Sequence, residues 1–296
     1  MASRASDAAQ AAAPHSSSAL MDAFPQHLDT GAVRLRPLCK QDLPAIVHQL
    51  SDERVAPWLA AVPQPFGPTE AAALLEHSRQ PGEFLRILEV EGVQAGCICL
   101  GAGLWYWLDP AYHGRGLMRD VLTAALGAWF AQPAPPHVAT CREDNAASRA
   151  LLTRLGFAQA SRPRRMFFHG SGHSESCLDY LMAPEQWHLL HPPEHRIGKL
   201  ILRPARQKDA PTLAKMLPRA EPPWPTAAAL TAFIETHRVR TPTVGLFTVM
   251  DETTRTVAMA LLCPDSSPVL RYLSQDEADR HADALARALA TGLPVA

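Results

Sequence analysis

Apolar and polar positions alternate from Val33 to Pro37 (VRLRP), then switch to helical spacing in KQDLPAIVHQL, with Asp42 near its start. A second short helix is predicted over PTEAAALLEH. EFLRILEVEGVQAGCICLG reads as two strands, Phe84 to Val90 and Val93 to Leu100, around a turn at Glu91-Gly92, and GLWYWLDP reads as a third. An amphipathic helix follows in GRGLMRDVLTAALGAWF, then a strand in HVATCRED and a helix ended by Gly156 in NAASRALLTRLGF. RRMFFHGSGHSESCLDYLM has the pattern of a hairpin around Gly-Ser-Gly. Strands alternating with helices predict an α/β (α+β) fold with a mixed sheet.

The pattern then restarts. LRPARQKDAPTLAKML (Leu202 to Leu217) aligns with LRPLCKQDLPAIVHQL (Leu35 to Leu50) at one offset of 167, pairing Arg36 with Arg203, Pro37 with Pro204, Asp42 with Asp209 and Pro44 with Pro211. Identities in a single register point to an internal duplication. At that offset Gly114 falls on His281 and Gly116 on Asp283, inside SQDEADRHADALARALA, where acidic residues would repel an anion. The expected organisation is a disordered tail over 1–30, a first domain over 31–186, a linker over 187–199 and a second, truncated domain over 200–296. Trp224 and the stripe Leu285–Leu289 are expected in the core of the second domain.

Charge narrows the options. Lys+Arg 28 against Asp+Glu 29 leaves no basic field for nucleic acid or a membrane surface, and SRPRRMFF (Ser161 to Phe168) is the only basic cluster, read as a solvated strand face. The cysteines Cys39, Cys97, Cys99, Cys141, Cys177 and Cys263 form no CxxC pair, so no metal site is expected, and Cys97 and Cys99 should face one side of a strand as buried thiols. No apolar run is long enough to cross a bilayer, and a cytoplasmic setting is expected.

The chemistry is concentrated at DPAYHGRGLMRD, Asp109 to Asp120. A helix that begins at Gly114 to Met118 presents unpaired backbone N–H groups at its positive end, where a pyrophosphate fits. The alternative is a glycine-containing strand-to-helix turn with no ligand. With LRPLCKQD, WLAAVPQPFGPTEAAALL, YWLDPAYHGRGLM and REDNAASRALLTRLGF in this order, residues 31–186 resemble a GNAT-type N-acetyltransferase of the RimJ/RimL subgroup, which acetylates ribosomal-protein N-termini.

The resemblance implies a mostly antiparallel central sheet flanked by helices, with a second, smaller partial GNAT-like domain behind it. It implies acetyl-CoA as cosubstrate, held by Leu108, His113, Gly114, Arg115, Gly116, Leu117, Met118, Asn145 and Ser148. The Leu108 backbone would polarise the thioester carbonyl. Ser148 is the candidate for hydrogen-bonding or protonating the thiolate, Glu143 is a candidate base beside an ordered water chain, and Trp58 and Trp105 would border the acceptor, Trp105 reading equally as a core or surface-strand aromatic. The general-acid tyrosine that some relatives carry is Leu152 here, His113 stands where Gln or Arg is usual, and Met118 where Gly or Ala is usual. The implied activity is acetyl transfer to a primary amine, whether a protein N-terminus, an amino sugar or a polyamine-like molecule, with a homodimer among the possible assemblies. A non-catalytic acyl-CoA sensor or scaffold of the same fold is the alternative, and a different acyl donor such as succinyl-CoA a third.

Overall fold

The computed structural model describes residues 24–101, 103–131, 134–217, 226–236, 245–263 and 266–290. The chain divides into two units, Met1–Ala183 and Pro184–Ala296.

In the first unit the strands are β1 (Leu28–Asp29), β2 (Arg34–Pro37), β3 (Leu85–Val90), β4 (Val93–Leu100), β5 (Leu104–Leu108), β6 (His137–Arg142), β7 (Ala158–Gln159), β8 (Arg164–Phe168) and β9 (His173–Met182). They form one sheet in the order β1-β2-β3-β4-β5-β6-β9-β7, with β8 also on β9. Every pairing is antiparallel except β5 with β6. The helices are α1 (Leu43–Leu50), α2 (Pro68–His77), α3 (Leu117–Phe130) and α4 (Ala146–Arg154). Ile46 and Leu50 of α1 and Ala71 and Leu75 of α2 bury their apolar stripes against Ile87, Cys97, Cys99 and Trp107. Each large side chain removed from water there contributes about 1.5–3 kcal/mol. Cys97 and Cys99 share that face as buried thiols.

Order begins before Gly31. Phe24 is buried, its ring 3.9 Å from that of Phe84 and 6.4 Å from that of Trp129, and β1 pairs with β2. A single anchoring aromatic in a polar stretch has no periodicity to announce it. The rest of the expected tail, residues 1–23, lies outside the described residues.

His137 enters β6 inside this aromatic cluster, its ring 4.2 Å from Trp129, and its Nε2 finds no hydrogen-bond partner among the described residues. Burial pulls its pKa down to about 4. The folded state therefore holds a neutral imidazole, and the unfolded state binds the extra proton between about pH 6.5 and pH 4. Stability should be full above that window and fall by at most about 3 kcal/mol as pH drops through it. Thermal melts from pH 7 to pH 4 should show this slope, and His137→Phe should remove it; an unchanged slope in the variant would place the acid sensitivity elsewhere.

The second unit carries α5 (Pro184–Leu190), β10 (His195–Ile197), β11 (Leu200–Pro204), α6 (Ala210–Leu213), α7 (Ala227–Thr236), β12 (Gly245–Met250), β13 (Thr256–Cys263), β14 (Ser266–Tyr272) and α8 (Gln275–Ala290). The expected linker over 187–199 is thus replaced by the end of a helix and a sheet strand, and the boundary falls between Ala183 and Pro184. Its two prolines, Pro192 and Pro193, separate α5 from β10, just as Pro184 before them opens α5.

The duplication extends well beyond the aligned segment. The second sheet, β10-β11-β12-β13-β14, repeats the antiparallel course of β1 to β5. His195 pairs with Leu202 as Leu28 pairs with Leu35, at the same offset of 167. Leu35 faces Leu88 and Leu202 faces Val249, and the register irregularity follows Leu88 in β3 and Val249 in β12. Arg36 forks onto Asp42 at 2.7 and 2.8 Å, Arg203 onto Asp209 at 2.7 and 2.9 Å. The N–H of Cys39 donates to Asp42 Oδ2 and that of Arg206 to Asp209 Oδ2. Burial works to raise both carboxyls, but the arginine hydrogen bonds and these backbone donors outweigh it and leave both below the usual carboxylate range.

The copies part company after the fifth strand. β5 ends at Leu108 and α3 begins at Leu117, whereas β14 ends at Tyr272 and α8 begins at Gln275. Residues 109–116 thus have only Leu273 and Ser274 as counterparts, and His281 and Asp283 lie within α8 instead of under the glycines. A constant offset fails there because a segment is missing, which an ungapped comparison does not register. Ser274 Oγ accepts from the Glu277 N–H at 3.3 Å, closing this helix start on itself. Leu285 is fully buried with Leu289 packed against its cluster, as the apolar stripe predicts; Trp224 lies outside the described residues.

Candidate active site

β5 and β6 run parallel but pair at a single position, Leu104 with Ala139, so they part toward Leu108 and Arg142. Gly96 sits across from Leu108 on β4. A Cβ there would lie 2.3 Å from the Trp107 carbonyl oxygen and 3.0 Å from Leu108 Cα, so only glycine permits this approach. In the second sheet the register puts Ala258 in the same place. Gly96→Ala should force β5 outward at a cost of about 1–3 kcal/mol. Melting of the variant beside the native chain measures this, and an unchanged Tm would mean that β5 adjusts freely.

The gap opens into a cavity of about 470 Å³ floored by Tyr106, Trp107 and Leu108. Trp107 is fixed by its indole N–H, which donates to Gln49 Oε1 at 2.9 Å. The 109–116 loop forms one wall. Asp109 Oδ1 accepts from the Ala111 N–H at 2.8 Å, starting a single helical turn over Pro110–Tyr112. His113 Nε2 lies 2.8 Å from the Leu108 carbonyl oxygen; because that oxygen can only accept, Nε2 carries the proton. His113 therefore ties the loop back to the strand it leaves.

Gly114 and Gly116 take φ of +73° and +77°, the left-handed region that disfavours other residues. A Cβ would meet nothing within 4 Å at Gly114 and only Arg119 Nη2, at 3.7 Å, at Gly116. The glycines are thus required by backbone conformation more than by space. Gly116 starts α3 with no side-chain cap, and the N–H groups of residues 114–118 find no acceptor among the described residues. Consecutive donors at a helix start form an anion cradle. Arg54, Arg119 and Arg154 add positive charge to the cavity wall, Arg54 and Arg119 being paired with Asp52 and Asp120. Arg115 turns over the Tyr112 ring at 5.5 Å, outside the lining. Met118 turns into the core, 8% exposed, while its edge still lines the cavity.

Opposite the loop, Asn145 caps α4, its Oδ1 accepting from the Ser148 N–H at 3.0 Å. The Ser148 hydroxyl lies 2.9 Å from the Tyr106 hydroxyl. Burial pushes the Tyr106 phenol up to about 12. Trp58 lines the cavity mouth, with the Arg142 guanidinium 4.9 Å over its ring.

The family described as the acetyltransferase (GNAT) domain matches residues 32–158, the stretch that contains this cavity. Over these residues the first unit is similar to a GNAT acetyltransferase domain. Solved structures similar to this chain include RimL, the ribosomal L7/L12 alpha-N-protein acetyltransferase, in complex with coenzyme A (18% identity over 53% of this chain and 97% of that one, TM-score 0.48). Another is Mycobacterium smegmatis RimJ in complex with CoA-disulfide, at 21% identity over 52% and 83% of the two chains, with a TM-score of 0.46. A third is the Salmonella typhimurium acetyltransferase that modifies the N-terminal serine of ribosomal protein L7/L12, at 19% identity over 53% and 98%, with a TM-score of 0.46. No curated protein matches the sequence.

Besides Arg115, two expected residues stand apart from the cavity. Trp105 stacks on Trp107, ring centroids 5.9 Å apart and planes within 9°, and packs against the α1–α2 core. Strand alternation puts its side chain on that face, opposite Tyr106. Glu143 Oε2 accepts from the Ser176 hydroxyl at 2.7 Å, outside the lining. Leu152 is core. In the basic cluster Arg164 forks onto Asp179 at 2.7 and 2.9 Å, a structural pair on the strand. Tyr106 is the site residue that sequence reading missed, although its alternation with Trp105 and Trp107 was the available signal. Among the described residues no group of His, Cys, Asp and Glu could hold a metal ion, and no helix is long and apolar enough to cross a membrane.

Proposed function

We propose that this protein transfers an acetyl group from acetyl-CoA to a primary amine by direct attack on the thioester, both substrates bound together. The run of free N–H donors at residues 114–118, open to a cavity between parted strands, carries this reading. Those donors would hold the pyrophosphate, with Arg119 and Arg154 adding charge. Acetyl-CoA supplies an activated acyl carbon and a thiolate leaving group. Leu108 would offer its backbone to the thioester carbonyl, and Asn145 would border the pantetheine arm.

The amine enters past Trp58. Its nitrogen forms the new C–N bond, the C–S bond breaks, the nitrogen sheds a proton and the sulfur gains one. With Glu143 held by Ser176, water at the cavity mouth is the better acceptor for the amine proton. Ser148 faces the site of the departing sulfur. Calorimetric titration with acetyl-CoA should give a Kd of about 1–100 μM. Thiol release should then rise with one of three amine classes: a peptide N-terminus, an amino sugar or a polyamine. Absence of acetyl-CoA binding by the folded chain would overturn the proposal.

A further inference from the structure

The Tyr106–Ser148 pair is the most specific arrangement in the cavity that the loop does not explain. Tyr106 comes from β5 and Ser148 from α4, on opposite sides of the parted strands, and their hydroxyls meet at 2.9 Å. Either oxygen can donate, so the direction follows from the surroundings. A phenol is the stronger donor of the two, and burial keeps this one protonated up to about 12. With Tyr106 as the donor, Ser148 Oγ accepts and its own proton is left to point elsewhere. The Ser148 N–H is already taken by Asn145, which fixes the backbone from which the hydroxyl projects. Burial pushes the Cys141 thiol on β6 up, and the Ser148 hydroxyl works against that shift, as a donor facing a sulfur does.

We propose that Tyr106 is a positioning residue that aims the Ser148 hydroxyl at the leaving sulfur of acetyl-CoA. This rests on the acetyl-transfer function proposed above. Tyr106 O–H donates to Ser148 Oγ, and Ser148 O–H donates to the sulfur as the C–S electron pair departs on it. No covalent bond to either residue forms, and the thiolate takes its proton finally from solvent. The pair would take over part of the task of the tyrosine that is Leu152 here.

The property to measure is the thiol pKa of coenzyme A bound to the full-length chain, followed by thiolate absorbance. A donor aimed at the sulfur stabilises the thiolate, so the bound thiol should ionise about one unit lower than in solution, the differential expected of one such hydrogen bond. Tyr106→Phe, which keeps the ring and its packing, should return it most of the way, as should Ser148→Ala. Because the two act in series, the double variant should shift it no further than either alone. With an acceptor in hand, kcat should fall about tenfold in each variant while the calorimetric Kd for acetyl-CoA holds. A bound-thiol pKa that is the same in the native chain and in Tyr106→Phe would overturn the inference. Failure of the native chain to bind acetyl-CoA or coenzyme A would instead overturn the acetyl-transfer function, and calorimetry separates the two cases.

Discussion

Asp209→Ala is expected to destabilise the second unit by about 3–5 kcal/mol, and Asp42→Ala to destabilise the first by somewhat less. Removing one partner of a buried pair leaves the other charge without compensation, and that is the larger part of the loss. The second pair is the more enclosed, with side-chain exposures of 7% and 8% for Arg203 and Asp209 against 21% and 5% for Arg36 and Asp42. Asp209 also accepts from the buried Thr248 hydroxyl at 3.1 Å. Arg36, by contrast, keeps Glu89 at 2.7 Å when Asp42 is gone. Hydrogen exchange on the full chain resolves the outcome strand by strand. Asp209→Ala should speed exchange in β11 and β12, and Asp42→Ala in β2 and β3. Losses below about 1 kcal/mol in both would reduce these pairs to the level of ordinary surface ion pairs.

Gly116→Glu is expected to lower acetyl-CoA affinity by at least about 100-fold, near 3 kcal/mol, without unfolding the domain. The side chain has room, since only Arg119 Nη2 lies near the new Cβ. The φ of +77° imposes strain of about 1–2 kcal/mol. A carboxylate at the start of α3 offsets part of that through the helix dipole. The same carboxylate would sit where the pyrophosphate is to bind and take up its donors. Gly116→Ala carries the strain without the charge, so the difference between the two variants isolates the electrostatic part. Calorimetry on folded protein decides it. An affinity within about threefold of native in the Glu variant would put the pyrophosphate elsewhere.

The glycine loop and the repeated opening were legible because each is local: backbone conformation, charge and spacing within a dozen or so residues. The Tyr106–Ser148 contact was not, since its members are 42 positions apart and meet only because β5 and β6 separate. Trp105 reads from its motif equally as a wall of the acceptor slot or as a core aromatic, and strand parity decides for the core. Phe24 and β1 escaped because one buried aromatic and a two-residue strand leave no pattern in a polar stretch. Pro192 and Pro193 suggest a linker because proline breaks elements; here they mark the space between α5 and β10.

The missing counterpart of residues 109–116 gives the protein a built-in reference. The second sheet keeps the strand order, register irregularity and buried arginine–aspartate fork of the first, but has Ala258 in place of Gly96 and a serine cap in place of the open helix start. A spectroscopic or exchange change produced by an acyl-CoA can be read in one unit against its near-twin in the same chain, at the same concentration and temperature. Whatever appears in both reports on the medium or the scaffold, and whatever is confined to the first reports on the ligand.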